Sequence, residues 1–361
     1  MSDAALNRLI DRVQSARAAH APLAIRGGGT KDFYGETPRG EPLAMGELRG
    51  ITSYEPTELV VTARAGTPLA DLEAALAEQS QCLAFEPPRF AAGGTVGGMV
   101  AAGLAGPSRA AVGGARDYLL GATMLNGHCE VLSFGGQVMK NVAGYDVSRM
   151  LAGSLGILGP ILEVSLKVLP IQPARATLRF EWAQAKALSQ LNSWAGQPLP
   201  IQASAWWSDM LVLRLAGAAA AVESAQRVLG GELIAAATAD GFWTGLRDQK
   251  DEFFATAAKA VHAGATLWRF AVAQTAPPLQ ADGDQLIEWG GGQRWLVSTA
   301  PAAAMRALAQ AAGGHATAFR GAKTGGVFTA LSPVLQRIHR HLKGAFDPEH
   351  LFNPGRLYPD L

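Results

Sequence analysis

Arg26-Gly-Gly-Gly-Thr-Lys31 comes directly off the strand-like run Pro22-Leu-Ala-Ile-Arg26, and Gly93-Gly-Thr-Val-Gly-Gly98 opens a helix-like stretch further on. These two clusters decide how the N-terminal half is read. Three successive glycines expose consecutive N–H groups with no Cβ in the way, which suits a phosphate or pyrophosphate. Taken alone, the first cluster makes a tight turn equally well. It lacks the GxxxxGK[ST] spacing of a Walker A loop. It also lacks the GxGxxG strand-to-helix junction, with an acidic residue about 20 positions on, of a nicotinamide site. In the second cluster Thr95 reads as a helix cap, and free N–H groups at the positive helix end favour an anion. A third cluster, Gly153-Ser-Leu-Gly-Ile-Leu-Gly159, precedes a strand. Three such loops in this order are more than turns require.

Outward from these loops, residues 4–18 read as a helix with Leu6, Leu9, Ile10 and Val13 on one face. Glu58–Arg64 reads as a strand, and Thr67 as the cap of a helix with Pro68 in its first position. Tyr118–Leu125 and Glu130–Phe134 read as a hairpin turned by Asn126-Gly127. Tyr145–Leu151 reads as a short helix. Leu162, Val164, Leu166 and Val168 alternate with Glu163, Ser165 and Lys167 as a half-exposed strand. Ile171-Gln-Pro173 reads as a boundary. Beyond it, strand-like runs at 177–182, 211–215, 267–272 and 294–298 alternate with alanine-rich helices at 218–229 and 301–312. Tryptophans concentrate there, which suggests a helix-covered antiparallel sheet. Pro333–Ala345 reads as a final helix.

The chain has 361 residues, enough for about two domains at roughly 150 residues each. Its formal charge of +1 argues against nucleic acid as a partner. The two cysteines, Cys82 and Cys129, form no CxxC pair, so a zinc or redox motif is not indicated, and their scarcity fits a reducing cytoplasm. Asp3, Arg8, Asp11 and Arg12 precede any apolar run, so no signal peptide is expected. The uncharged stretch Phe90–Ser108 is laced with glycine and poor in large aliphatics, and no membrane span is expected.

The order RGGGTK (26–31), GGTVGG (93–98), NVAGYD (141–146), GSLGILGPILEVSLKVLP (153–170) and FNPGRLYP (352–359) resembles the vanillyl-alcohol-oxidase-type, or PCMH-type, FAD-binding family. Within it, the chain is most similar to the FAD-binding subunits of bacterial glycolate oxidases. Phe134–Arg149 is the most specific stretch. The resemblance spans about residues 23–358 and is weakest over 175–310. It implies an α+β fold: a two-lobed FAD-binding domain over 1–172, a smaller α+β cap over 173–330, and a C-terminal helix and tail over 331–361 returning towards the FAD domain. By position, Arg26, Gly27, Gly28, Gly29, Thr30 and Lys31 would wrap the pyrophosphate. Pro87, Thr95, Val96, Gly97, Gly98, Ala102 and Gly103 would line the phosphate and ribityl side. Gly156, Ile157 and Ile161 would offer backbone to the rings, and Asn353 and Arg356 would lie near the flavin.

Departures from the wider family shape the expected chemistry. The first loop carries no His, and His128 and Cys129 sit beside a turn, so FAD is expected to be non-covalent. His339 and His341 are spaced to point to different helix faces, and no metal site is expected. His315 and Arg320 are the candidates for touching a substrate carboxylate or the flavin edge; a polar strand edge is the alternative, and the preferred one. The resemblance implies oxidation of glycolate, a small 2-hydroxy acid, to glyoxylate within a complex. Its other members would be a second flavin-bearing catalytic subunit and an iron–sulfur subunit, since two cysteines cannot supply four cluster ligands. A cytoplasmic location, possible peripheral membrane attachment through those partners, and weak activity of the lone chain follow from the same expectation. A self-sufficient FAD enzyme on another 2-hydroxy acid or alcohol, and a non-catalytic subunit that keeps FAD as a folding element, stand as alternatives.

Overall fold

The computed structural model describes residues 3–136 and 146–361, so most of NVAGYD and the start of the helix expected at Tyr145 lie outside the described residues. A 3₁₀ turn spans Ser148–Leu151. Two compact units emerge. The first comprises Met1–Leu104, Gly114–Pro170 and Ala330–Leu361, and the second Ala105–Gly113 and Ile171–Thr329. Residues 105–113 therefore group with the second unit, although the sequence expectation keeps them in the first domain.

In the first unit, α1 (Ala4–Ala18) is capped by Asp3, whose carboxylate accepts from Leu6 N–H, and it buries Leu9, Val13 and Ala16. β1 (Leu23–Arg26) and β2 (Glu41–Ala44) pair in parallel. Next come β3 (Ile51–Glu55), β4 (Val60–Arg64), α2 (Leu69–Glu78), β5 (Gln81–Cys82) and α3 (Val96–Ala102). α4 (Arg109–Val112) belongs to the second unit, and α5 (Ala115–Tyr118), β6 (Leu119–Leu125), β7 (Val131–Gly135), β8 (Ile161–Lys167) and β9 (Leu169–Pro170) complete the run. The main sheet is antiparallel in the order β3-β4-β8-β6-β7.

β8, at the sheet's centre, keeps the expected alternation: Leu162, Val164, Leu166 and Val168 are buried, while Glu163 and Lys167 are half-buried and Ser165 is bonded to Thr62. Two local expectations change. Thr67 does not cap α2: its hydroxyl bridges Gly50, accepting from its N–H and donating to its carbonyl, and Pro68 takes the cap position. The β6–β7 connection is longer than a two-residue Asn-Gly turn. Asn126 Oδ1 accepts from His128 and Glu130 N–H, and the left-handed residue is Cys129, at φ 64°.

The second unit strings together β10 (Ala174–Glu181), α6 (Gln184–Ala195), β11 (Ile201–Trp207), β12 (Met210–Gly217), α7 (Ala219–Leu229), β13 (Glu232–Ile234), α8 (Ala236–Asp248), α9 (Glu252–His262), β14 (Thr266–Ala271), β15 (Gln285–Glu288), β16 (Gln293–Ser298), α10 (Ala302–Ala311) and β17 (His315–Arg320). Its eight strands make one antiparallel sheet, β13-β10-β12-β11-β15-β16-β14-β17. Trp206, Trp243, Trp268 and Trp295 are buried, with Trp243 Nε1–H donating to Thr177 and Trp295 Nε1–H to Glu288. Such acceptors offset the burial of the indole N–H groups of Trp243 and Trp295, while Trp268 Nε1–H finds none among the described residues.

The chain then returns to the first unit as α11 (Pro333–Phe346), capped by Ser332. Near its end Lys343 is completely buried. Its ammonium donates to Asp347 Oδ2 (2.7 Å), to the Ile157 carbonyl (2.6 Å) and to the Phe352 carbonyl (2.8 Å). Asp347 in turn accepts from Leu351 and Phe352 N–H. All three ammonium protons have acceptors, which a buried ion needs in order to persist. Burial outweighs the pairing and holds Lys343 below the usual lysine pKa.

Removing one member of a buried ion pair leaves the other uncompensated. Asp347→Asn is therefore expected to destabilise the protein by about 3–5 kcal/mol. The exposed Arg340–Asp360 pair serves as the control, and Arg340→Ala is expected to cost under about 1 kcal/mol. Urea unfolding of the two variants beside the parent checks both values.

Candidate functional site

The RGGGTK loop leaves the end of β1 with its donors unused. The N–H groups of Gly27, Gly28, Gly29, Thr30 and Lys31 donate to no acceptor among the described residues. Five consecutive amides in a turn-like path form a concave cradle for an anion. The loop is fixed from behind. A Cβ on Gly28 would lie 1.6 Å from the Gly93 carbonyl oxygen, so the first and second glycine loops abut here and no larger residue fits. Gly29, at φ 70°, leaves room for the Arg26 guanidinium, which a Cβ would approach to 2.5 Å.

The second loop contributes differently from the sequence expectation. Thr95 caps α3, accepting from Gly98 N–H at 3.2 Å. Val96 N–H donates to the Thr67 carbonyl and Gly97 N–H to the Ala65 carbonyl. The first-turn amides of α3 are thus already engaged, and the helix end offers no free donors there. Its contribution is shape: Thr95, Gly97, Gly98 and Ala102 form a wall of small residues.

The C-terminal tail supplies the third side. Asn353 Oδ1 accepts from Ile25 N–H (2.7 Å), and its Nδ2 donates to the Leu155 carbonyl (2.6 Å). The Arg356 guanidinium donates to the carbonyls of Glu36, Lys31 and Asp32. Asn353 thus ties β1 to the third loop, and Arg356 grips the end of the first loop and the residues after it. They act as positioning residues for residues 27–31, which line the groove.

Two cations flank the cradle. Arg26 pairs with Asp32 at 2.7 Å. Lys31, which points over the Phe90 ring at 5.9 Å, has its pKa pushed down by burial to about 8.

Of the residues expected from the resemblance, Arg26 to Lys31, Thr95, Gly97, Gly98, Ala102, Gly156, Ile161, Asn353 and Arg356 line two adjoining cavities of this unit. Four do not. Pro87 and Val96 are buried away from them. Gly103 ends α3 at φ 61°. The Ile157 carbonyl is taken by Lys343 rather than offered to a ring. His315 and Arg320 lie at opposite ends of β17 in the second unit. They pair with Ala271 and Leu267, four residues apart on β14, so roughly 13 Å separates them along the sheet, and the bulge near Arg320 keeps both on one face. Burial and the neighbouring Arg269 lower the His315 pKa; burial lowers Arg320 to about 10. Arg320 donates to Gln249 Oε1.

Residues 5–135 match a family model described as FAD binding domain. The chain is 45% identical over 353 residues to the glycolate oxidase subunit GlcE of Escherichia coli (strain K12), covering 98% of this chain and 97% of that protein. The chain belongs to the GlcE family of glycolate oxidase subunits. It is also 28% identical over 188 residues to the glycolate oxidase subunit GlcD of Bacillus subtilis (strain 168), covering 51% of this chain and 40% of that protein. An alkyldihydroxyacetonephosphate synthase structure superposes with a TM-score of 0.66 at 14% identity, covering 96% of this chain and 74% of that one, which shows the shared fold.

The cofactor of this GlcE family chain is FAD, and its groove fits one. An amide cradle with two cations matches a pyrophosphate, and the adjoining cavity is lined by Ile25, Met45, Ala65, Leu155 and Ile161, suited to an apolar ring system. Met45, Ala65 and Leu155 were not singled out in the sequence, since nothing distinguishes them there from ordinary core residues. Among the described residues no cluster of three His, Cys, Asp or Glu is placed to bind a metal ion.

Gly98 lines both cavities, and a Cβ there meets only the Thr95 hydroxyl, at 3.1 Å. Gly98→Asp should fold yet place a carboxylate beside the cradle. FAD affinity is expected to fall by about 100-fold or more through lost space and charge repulsion, with unfolding little changed. Glu223→Gln, on the surface of the second unit, should keep full affinity. Titration by flavin fluorescence checks both.

Proposed function

We propose that this chain binds FAD non-covalently in the groove between its three glycine loops, as the flavin-bearing member of a complex that oxidises glycolate to glyoxylate. The run of five unpartnered N–H groups at 27–31 carries the reading. A row of donors with no protein acceptor is costly unless water or a ligand satisfies it. Charge-assisted hydrogen bonds to phosphate oxygens would do so. Arg26 and Lys31 would neutralise the pyrophosphate, with Asn353 and Arg356 holding the loop in shape. Gly156 and Ile161 would border the ring cavity. Bound FAD supplies the two-electron acceptor for removal of hydride from a 2-hydroxy acid.

A complete 2-hydroxy-acid site needs a base near the hydroxyl and a cation to hold the carboxylate. His315 and Arg320 sit at opposite ends of β17, with Arg320 turned to Gln249, which supports a division of labour. A second flavin-bearing subunit would hold the substrate, and an iron–sulfur subunit would take up the electrons. Non-covalent attachment is supported by the loop chemistry: Thr30 and Lys31 stand in the first loop, and neither His128 nor Cys129 lines the groove. Among the described residues no helix is long and apolar enough to cross a membrane. We place the complex in the cytoplasm, with any membrane contact made through partner subunits.

The decisive experiment is dye-coupled glycolate oxidation by the purified chain, alone and co-expressed with the other subunits. Activity is expected only in the assembled complex, and acid precipitation should release all flavin as FAD. Turnover by the lone chain at the rate of the complex would overturn the division of labour.

Lys31 gives a pH signature. Its ammonium titrates at about 8 in the free chain, and a bound pyrophosphate raises that value by favouring the charged form. FAD affinity should therefore be constant below pH 8 and weaken as pH rises above it, as binding comes to require proton uptake. Lys31→Met should bind more weakly at pH 7 and lose this dependence. An unchanged pH profile in that variant would remove Lys31 from the phosphate site.

A further inference from the structure

One group at the cradle has the wrong sign for an anion site. Asp32 lines the same cavity as the five free amides, and its carboxylate sits 2.7 Å from the Arg26 guanidinium. The two side chains close the loop like a clasp, from its first residue to the residue after its last. Asp32 is held by its main chain as well: its N–H donates to the Gly29 carbonyl, and its own carbonyl accepts from Arg356. The carboxylate therefore cannot leave the neighbourhood of the cradle without breaking the turn that forms it. Arg26 is differently placed. Its guanidinium runs past Gly29, where the missing Cβ makes room for it. Arg26 and Asp32 keep 56% and 45% of their side-chain surface exposed, so water screens the pair and it is a weak bond.

We infer that Asp32 is an internal competitor for the cofactor phosphate. It holds Arg26 when the groove is empty and surrenders it when a pyrophosphate arrives. A guanidinium that meets a phosphate gains a charge-assisted, two-pronged contact stronger than its exposed carboxylate pair. The exchange has two consequences. Arg26 is kept ordered beside the cradle rather than free in solvent, and part of the phosphate's binding free energy is offset by breaking the clasp. Asp32 thereby sets how tightly the cofactor is held, without touching the flavin ring. The inference rests on the proposed pyrophosphate site. It concerns the affinity of that site, not its existence.

Stopped-flow and equilibrium titration of the full chain with FAD, followed by flavin fluorescence at low and high salt, tests it. Asp32→Asn keeps the side-chain size and is expected to tighten FAD binding about three- to tenfold at low salt, with a faster association rate and a steeper salt dependence. In an Arg26→Ala background, the gain from Asp32→Asn should shrink to less than about twofold, because the partner it competes for is gone. Unchanged or weaker binding by Asp32→Asn would overturn the inference and make the clasp a purely structural brace. An equal gain with and without Arg26 would overturn it as well, reducing Asp32 to a simple repulsive charge. Failure of the parent chain to bind FAD would be a different result, contradicting the pyrophosphate site itself.

Discussion

The groove depends on one buried ammonium. Lys343 ties the end of α11 to the third glycine loop through Ile157 and to the tail through Phe352, while Asp347 holds the same tail by its N–H groups. From that anchor the tail runs beside β1: Leu23 N–H donates to Leu351, and Asn353 N–H donates to Leu23. Asn353 and Arg356 are then in register to grip both loops. A surface salt bridge would not fix a tail this firmly. A buried one does, because every alternative position strands a charge in the core.

This arrangement explains how a loop of glycines can be specific. Glycine gives the backbone freedom to approach an anion, and the same freedom would let the loop collapse. Here its carbonyls and flanks are tied down by side chains from more than 300 positions away in sequence, as in the Asn353–Ile25 and Arg356–Asp32 bonds. The donors are left over, without partners among the described residues. Preorganisation of this kind means that little ordering remains to be done on binding.

Much of this was legible in the sequence where local chemistry carries the information. RGGGTK announced its free amides, Thr95 announced the cap of α3, and the alternation after Pro160 announced β8. The misreadings share a cause, which is that a tertiary partner changed a local rule. Thr67 looks like a cap and is captured by Gly50. The first turn of α3 looks open to an anion and is filled by the Ala65 and Thr67 carbonyls. Lys343 and Asp347 were not marked at all. An i, i+4 pair at the end of a polar helix reads as a solvated surface pair, and only the fold reveals its burial. Asp32 was passed over beside the conspicuous glycines and lysine, though it carries the one negative charge on the cradle.

Amide hydrogen exchange tests the central claim most directly. In the chain freed of FAD, the amides of Gly27, Gly28, Gly29, Thr30 and Lys31 should exchange rapidly, since they have no acceptor, while those of α3 and the Leu351–Asn353 segment are already protected. Adding FAD should slow exchange at 27–31 more than anywhere else in the first unit. Slow exchange at 27–31 before FAD is added, or protection that appears elsewhere and leaves these five amides unchanged, would contradict the account.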